Sequence, residues 1–273
     1  MLPQPSRTRT FDEVAAMPSR PADHREAYGT APEQFGDLRV PAGTGPHPVV
    51  VLIHGGCWRS EYGIAHTGPL ATALSNDGFA VWSIEYRRVG SPGGGWPGTF
   101  LDVGAAVDHL RVLAGRHPLE LSRIVVAGHS AGGHLALWCA SRGLLPAGAP
   151  IAAPNPLVPL GVVSIGGITD LVAYASPEGC GSAVVPLMGG AVGEVAERYA
   201  QASPVMLVPR LPVQLIVGGA DTIVLRAQAD AFLGAAGALA TLRVVEGAGH
   251  FDLIAPDGDA WVALRDAVRA FFY

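Results

Sequence analysis

The chain has 273 residues, of which 49% are hydrophobic and 15% charged, so it can bury a sizeable core and is not a disordered chain. Its formal net charge is −5 with the arginines scattered, which leaves no electrostatic footprint for nucleic acid. All 18 basic residues are arginine, and the absence of lysine excludes Schiff-base, pyridoxal-phosphate, Walker A and kinase-type lysine chemistry.

The first segment, 1–24, reads as an N-terminal arm, with a first helix over its first twenty or so residues as the alternative. It contains no apolar run of signal-peptide length, from which a cytoplasmic location is expected. REAYG (25–29) and QFGDLRV (34–40) follow as a leading pair of short strands. Six short apolar runs come next: PVVVLI (48–53), FAVWSI (79–84), RIVVAG (123–128), LGVVSI (160–165), VQLIVG (213–218) and TLRVVE (241–246). Continuous apolar runs suit parallel strands covered on both faces. Amphipathic helical segments separate them, at about 66–77, 99–116, 131–142, 194–201, 223–237 and 257–272. Strands alternating with helices predict an α/β domain over 25–273, with a mostly parallel twisted sheet of about eight strands and helices on both faces.

Gly143 to Thr169 is free of charge and long enough to span a bilayer. Pro146, Pro150, Pro154, Pro156 and Pro159 exclude a membrane helix there, because each would cost roughly 3 kcal/mol inside one. The irregular segments 143–159 and 171–200 are expected to shape a site entrance, since ligands bind at the carboxyl ends of the strands in such sheets. Cys57, Cys139 and Cys180 are odd in number and show no zinc-ligand spacing, so they read as small thiols in the core, with no disulfide and no metal.

Gly128-His129-Ser130-Ala131-Gly132 is a G-x-S-x-G sequence between a buried strand and a helix. That context matches a nucleophile elbow, in which a tight turn lifts the serine hydroxyl above the sheet edge beside a helix N-terminus. A serine needs a base and a third group that orients it. His250 follows the last strand in a glycine-rich loop and is the candidate base. His129 and His134 flank the elbow and read as packing or solvent-facing, His54 ends a strand, and His24, His47, His66, His109 and His117 read as surface residues. Asp221, immediately after strand 213–218, is the candidate acid. Its competing reading is a helix N-cap, Asp170 is the rival acid, and Asp252 lies too near His250 in sequence. His54-Gly55-Gly56-Cys57-Trp58 follows the strand PVVVLI, and its glycines let backbone N–H groups converge on an oxyanion. The expected donors are the amides of Gly56, Cys57 and Ala131.

With HGGCW at 54–58, EYRR at 85–88, WPG before Asp102, GHSAGG at 128–133, GGITDL at 166–171 and GAGHFD at 247–252, the chain resembles the α/β-hydrolase superfamily over essentially its whole length. Within it, the motifs are similar to compact carboxylesterases, feruloyl esterases and kynurenine formamidases (arylformamidases). The resemblance implies catalytic roles for Ser130, Asp221 and His250, with oxyanion glycines at Gly55 and Gly56 and the amide of position 57. Many relatives carry a third glycine where this chain has Cys57. The HGG-x-W pattern makes Trp58 a candidate for the substrate pocket, with a buried packing role as its competitor. Tyr86 and Arg87 read as supports of the fold near the site, and Asp102 as a structural partner of a loop or an arginine.

The expected activity is hydrolysis of a small carboxylic ester through an acyl-enzyme, with no cofactor, no nucleic acid and no membrane. An arylformamidase acting on N-formylkynurenine-like formamides is the alternative, since both bonds yield to the same machinery. A non-catalytic ligand binder on a hydrolase scaffold is the alternative of another class, disfavoured because Ser, Asp and His are all present.

Overall fold

The computed structural model describes residues 8–273. Its strands are β1 (His24–Ala27), β2 (Phe35–Arg39), β3 (His47–Ile53), β4 (Ala80–Ile84), β5 (Leu119–His129), β6 (Gly161–Ile165), β7 (Val213–Gly218) and β8 (Ala240–Val245). They form one eight-stranded sheet in the order β1-β2-β4-β3-β5-β6-β7-β8. The pairings β1–β2 and β2–β4 are antiparallel, and every other pairing is parallel. This is the mostly parallel α/β architecture predicted from the apolar runs.

The helices are α1 (Phe11–Ala15), α2 (Gly68–Asn76), α3 (Gly98–Asp108), α4 (Leu110–Leu113), α5 (Ala131–Ser141), α6 (Leu171–Tyr174), α7 (Val184–Met188), α8 (Ala196–Ala202), α9 (Ala227–Ala236) and α10 (Gly258–Arg269). Strand periodicity divides the core into two layers. On β3, Val49, Val51 and Ile53 face Phe100 of α3 and Leu135 and Trp138 of α5. Val50 and Leu52 face the other way, toward Leu70 and Leu74 of α2 and Leu264 of α10. A strand covered on both sides needs apolar residues at every position, which is why β3 reads as an unbroken run.

The two irregular segments lie at opposite edges of the sheet. Segment 171–200 follows β6 and sits at the carboxyl edge, whereas 143–159 leads from α5 into the amino end of β6. The latter is fastened there, away from the carboxyl edge: the Leu157 N–H donates to Asp108 Oδ1 at 2.7 Å, and Asp108 also binds Arg142.

The arm is partly structured. Thr10 and Glu13 form a reciprocal capping box at the start of α1, and Val14 is buried in the α2–α10 layer. Arg9 pairs with Asp257, and its N–H donates to Asp252 Oδ2 at 3.2 Å, so α1 is tied to the far end of the chain. The rest of the arm reading, residues 1–7, lies outside the described residues. Among the described residues no helix is long and apolar enough to cross a membrane.

Candidate active site

β5 ends at His129 and α5 begins at Ala131, so Ser130 alone makes the turn between them. Its backbone is at φ 57° and ψ −121°, a region that costs a non-glycine residue of order 1–3 kcal/mol and persists only where neighbours enforce it. They do so here: the Ser130 N–H donates to the carbonyl of Ile165 on β6 at 2.8 Å. The flanking glycine is needed for close approach, since a Cβ on Gly132 would run into the carbonyls of Ile53 and His54.

His250 lies in the loop after β8, and its Nδ1 is 2.7 Å from Asp221 Oδ2, with both side chains buried. Asp221 is in the loop after β7. Its second oxygen accepts the N–H groups of Ile223 (2.8 Å) and Val224 (2.9 Å) and so braces the turn that follows; it is not a helix N-cap, since α9 begins only at Ala227 with Arg226 at its N-cap. With Nδ1–H given to Asp221, the other ring nitrogen, Nε2, is the one left to act as a base. The loop is braced twice more: His129 Nε2 donates to the His250 carbonyl at 3.0 Å, and the Gly249 N–H donates to Asp252 Oδ2 at 2.8 Å. The rival Asp170 caps α6 through the N–H groups of Val172 and Ala173, both at 3.0 Å. Asp102 binds Arg87 through both carboxylate oxygens.

The loop after β3 carries Gly56, Cys57 and Trp58, all at positive φ (110°, 53° and 54°). Among the described residues no acceptor takes the N–H of Gly56, Cys57 or Ala131. A Cβ on Gly55 would come 2.8 Å from the His129 carbonyl, so glycine is required where this loop meets the elbow. Beneath it lies a buried polar cluster. The Tyr86 hydroxyl donates to the His54 carbonyl at 2.9 Å, and His54 contacts Gly55 O at 2.7 Å and Glu85 Oε1 at 2.8 Å. Glu85 also accepts the N–H groups of Ile64 and Tyr86, each at 3.0 Å, and pairs with Arg88.

Ser130, His250, Gly56 and Cys57 line one cavity of about 460 Å³, walled by Phe11, Tyr62, His66, Ile223, Phe251 and Cys180. Segment 171–200 supplies Cys180 to it and 143–159 supplies nothing. Three expectations are corrected. Trp58 does not line the cavity: its indole is fully buried and donates to His134 Nδ1 at 3.2 Å, because the positive φ at Cys57 and Trp58 turns the side chain inward. Cys57 and Cys180 are not separate thiols but a disulfide across a sequence separation of 123, with only Cys139 free and buried. His47 and His66 are not surface residues: His47 is buried at the start of β3, and His66 is a buried wall of the cavity, where burial together with nearby His54 pushes its pKa down to about 3.

Phe11, Tyr62, His66 and Cys180 carry no motif in the sequence. The one available signal was positional: both cysteines lie in loops that follow parallel strands and therefore share the carboxyl edge of the sheet.

Solved structures of similar fold include a truncated carbohydrate esterase from gut microbiota (TM-score 0.78, 24% identity, 90% of this chain and 94% of that one). Esterase B from Lactobacillus rhamnosis is also similar (TM-score 0.75, 21% identity, 96% and 89% covered). So is a hormone-sensitive lipase from a metagenome library (TM-score 0.67, 20% identity, 96% and 89% covered). These likenesses establish the α/β-hydrolase fold. In sequence, esterase LipC of Mycobacterium tuberculosis is 33% identical over 135 residues, covering 48% of this chain and 33% of that protein. LipM of the same organism, a probable carboxylic ester hydrolase, is 33% identical over 92 residues, covering 34% of this chain and 21% of its own length. The chain thus matches about a third or less of each of these curated relatives. The BD-FAE family matches residues 37–235, most of the chain and all three loops that carry Ser130, Asp221 and the glycine pair, and the chain belongs to that family.

Proposed function

We propose that this protein is a serine hydrolase that cleaves small carboxylic esters through an acyl-enzyme. The observation that carries the reading is the 2.7 Å His250–Asp221 bond in a cavity shared with Ser130 at an elbow. The esterase names of its partial relatives support the same reading.

In this mechanism His250 Nε2 takes the Ser130 proton as Oγ attacks the ester carbonyl. Asp221 holds the imidazole in the required tautomer and stabilises its charged form. The N–H groups of Gly56, Cys57 and Ala131 receive the oxyanion, already positioned and free of other acceptors. His250 then protonates the leaving alcohol. A water molecule activated by the same nitrogen releases the acid and restores Ser130.

A fluorophosphonate probe tests the reading. It is expected to label Ser130 in the folded protein, and Ser130→Ala is expected to abolish labelling and lower kcat by about 10³-fold or more, with circular dichroism unchanged. Labelling elsewhere, or turnover surviving the substitution, would overturn it. Run beside p-nitrophenyl acetate, N-formylkynurenine is expected to give the lower kcat/KM, and the reverse order would make formamides the substrate class.

A further inference from the structure

We infer that Cys180 is a positioning residue for this hydrolysis: through its disulfide to Cys57 it holds an oxyanion amide in place. The inference rests on the serine-hydrolase reading above. Cys57 occupies φ 53°, a left-handed conformation that glycine adopts freely and other residues keep only when their surroundings impose it. It is held there by a covalent bond to Cys180, whose Cα is 5.0 Å away. Cys180 sits in a 3-10 turn, Gly179–Ala183, in the segment that follows α6. A second tie joins the same two loops: Arg59, two residues beyond Cys57, donates to Ser182 Oγ at 2.6 Å and to the Gly179 carbonyl at 3.2 Å. On the other side Trp58 is anchored in the core by His134. The loop is therefore fixed at 58 and 59 by packing and polar contacts, and at 57 by a covalent bond.

The plane of the 56–57 peptide, and so the direction of the Cys57 N–H, follows the backbone angles at this point. Opening the bridge frees Cys57 to leave the left-handed region and swing its amide off the oxyanion. The ester would still find the cavity and Ser130, so the loss falls on the transition state more than on substrate binding. The opening is an exchange with a dithiol. One thiolate of the reductant attacks a bridge sulfur and forms a mixed disulfide, and its second thiol displaces the protein sulfur. Two electrons and two protons move from the dithiol to Cys57 and Cys180, and the reductant leaves as a cyclic disulfide. Such bridges persist in oxidising surroundings and are rare in a reducing cytosol, so activity would report on the compartment.

The full chain is assayed with p-nitrophenyl acetate as purified, after dithiothreitol treatment and desalting, and after reoxidation. Thiol alkylation and mass analysis read the bridge, fluorophosphonate titration counts competent Ser130, and a trifluoromethyl ketone probes oxyanion binding. Per titrated site, opening the bridge should lower kcat about tenfold, leave KM within about threefold and weaken the ketone about tenfold, a fraction of what losing an entire donor costs. Reoxidation should restore all three, and Cys180→Ser should match the reduced enzyme and ignore dithiothreitol. Kinetics and ketone affinity per titrated site that do not change on opening would overturn the inference and leave the bridge a purely structural staple. Two free thiols in the untreated protein would overturn it as well. If Ser130 is never labelled in any form, the hydrolase reading itself has failed and the inference falls with it.

Discussion

At the scale of single residues, Asp221 and Asp170 show how chemistry separates from capping. Both follow parallel strands and both accept two successive backbone N–H groups. Only Asp221 has a second oxygen against an imidazole. Asp221→Asn keeps the side-chain shape and an oxygen for the two amides, but it no longer fixes the Nδ1–H tautomer or offsets the positive imidazolium. Steady-state kinetics should show kcat lower by about 10⁴-fold with little change in melting temperature. Trp58 tests the opposite case. Trp58→Phe leaves His134 Nδ1 without its donor in the core and should cost about 1–3 kcal/mol in urea unfolding. The ranking of esters by acyl length should be unaltered, because the indole is not in the cavity. The placement of Ser130, Asp221 and His250 at one sheet edge was legible because each follows a strand of the parallel run, although β8, ahead of His250, is a half-exposed outer strand. The inward turn of Trp58 was one of two open readings, and the sequence could not choose between them, since the choice depends on two successive non-glycine residues at positive φ.

At the scale of elements, the parallel strands could be read within a residue or two, apart from β5, whose polar first turns (Leu119–Ser122) hid its start. The antiparallel pair β1 and β2 was also legible, as short runs bounded by turn residues. Helix α1 was legible only as the alternative to an arm. Five residues do not make a stable helix in water, and α1 exists because Thr10 and Glu13 cap it, Val14 is buried and Arg9 is tied to Asp252 and Asp257. Its consequence for function is larger than its length. The Phe11 ring lies 5.5 Å from Tyr62, 5.2 Å from His66 and 5.7 Å from Phe251, centroid to centroid, and closes one side of the cavity. Phe11→Ala should open that side. In a series of p-nitrophenyl esters from acetate to octanoate, kcat/KM for the long chains should rise relative to acetate by about tenfold, the scale at which hydrophobic pockets discriminate size. An unchanged series would place the acyl chain elsewhere. Because Phe11 is only half-buried, the substitution should cost less stability than a core phenylalanine would.

At the scale of the whole molecule, the fold carries a set of histidines that it keeps neutral. Burial pushes His134 down to about 4 and His66 to about 3, the latter helped by neighbouring His54, and it holds His129 well below the usual imidazole range, with His250 adding to the effect. His134 Nδ1 and Nε2 are both bonded inside the core, and His129 Nδ1 is buried without a partner, so neither ring has a water shell to support a charge. The unfolded chain protonates these side chains near 6.5. Between about pH 6.5 and 4 the unfolded state therefore binds more protons than the native state, and stability falls as pH falls through that window. Each of the three contributes a slope of up to about 1.4 kcal/mol per pH unit. Together they can remove much of a typical stability of 5–15 kcal/mol within two or three pH units. Urea midpoints should accordingly drop steeply from pH 7 to pH 5, before most carboxylates titrate, and a flat profile over that range would contradict the burial of these rings. His134→Gln should flatten the slope by up to one proton even though it lowers stability at pH 7. Because His66 and His129 line the cavity that holds Ser130, loss of activity below pH 6 should follow the loss of near-ultraviolet circular dichroism and return only at the rate of refolding.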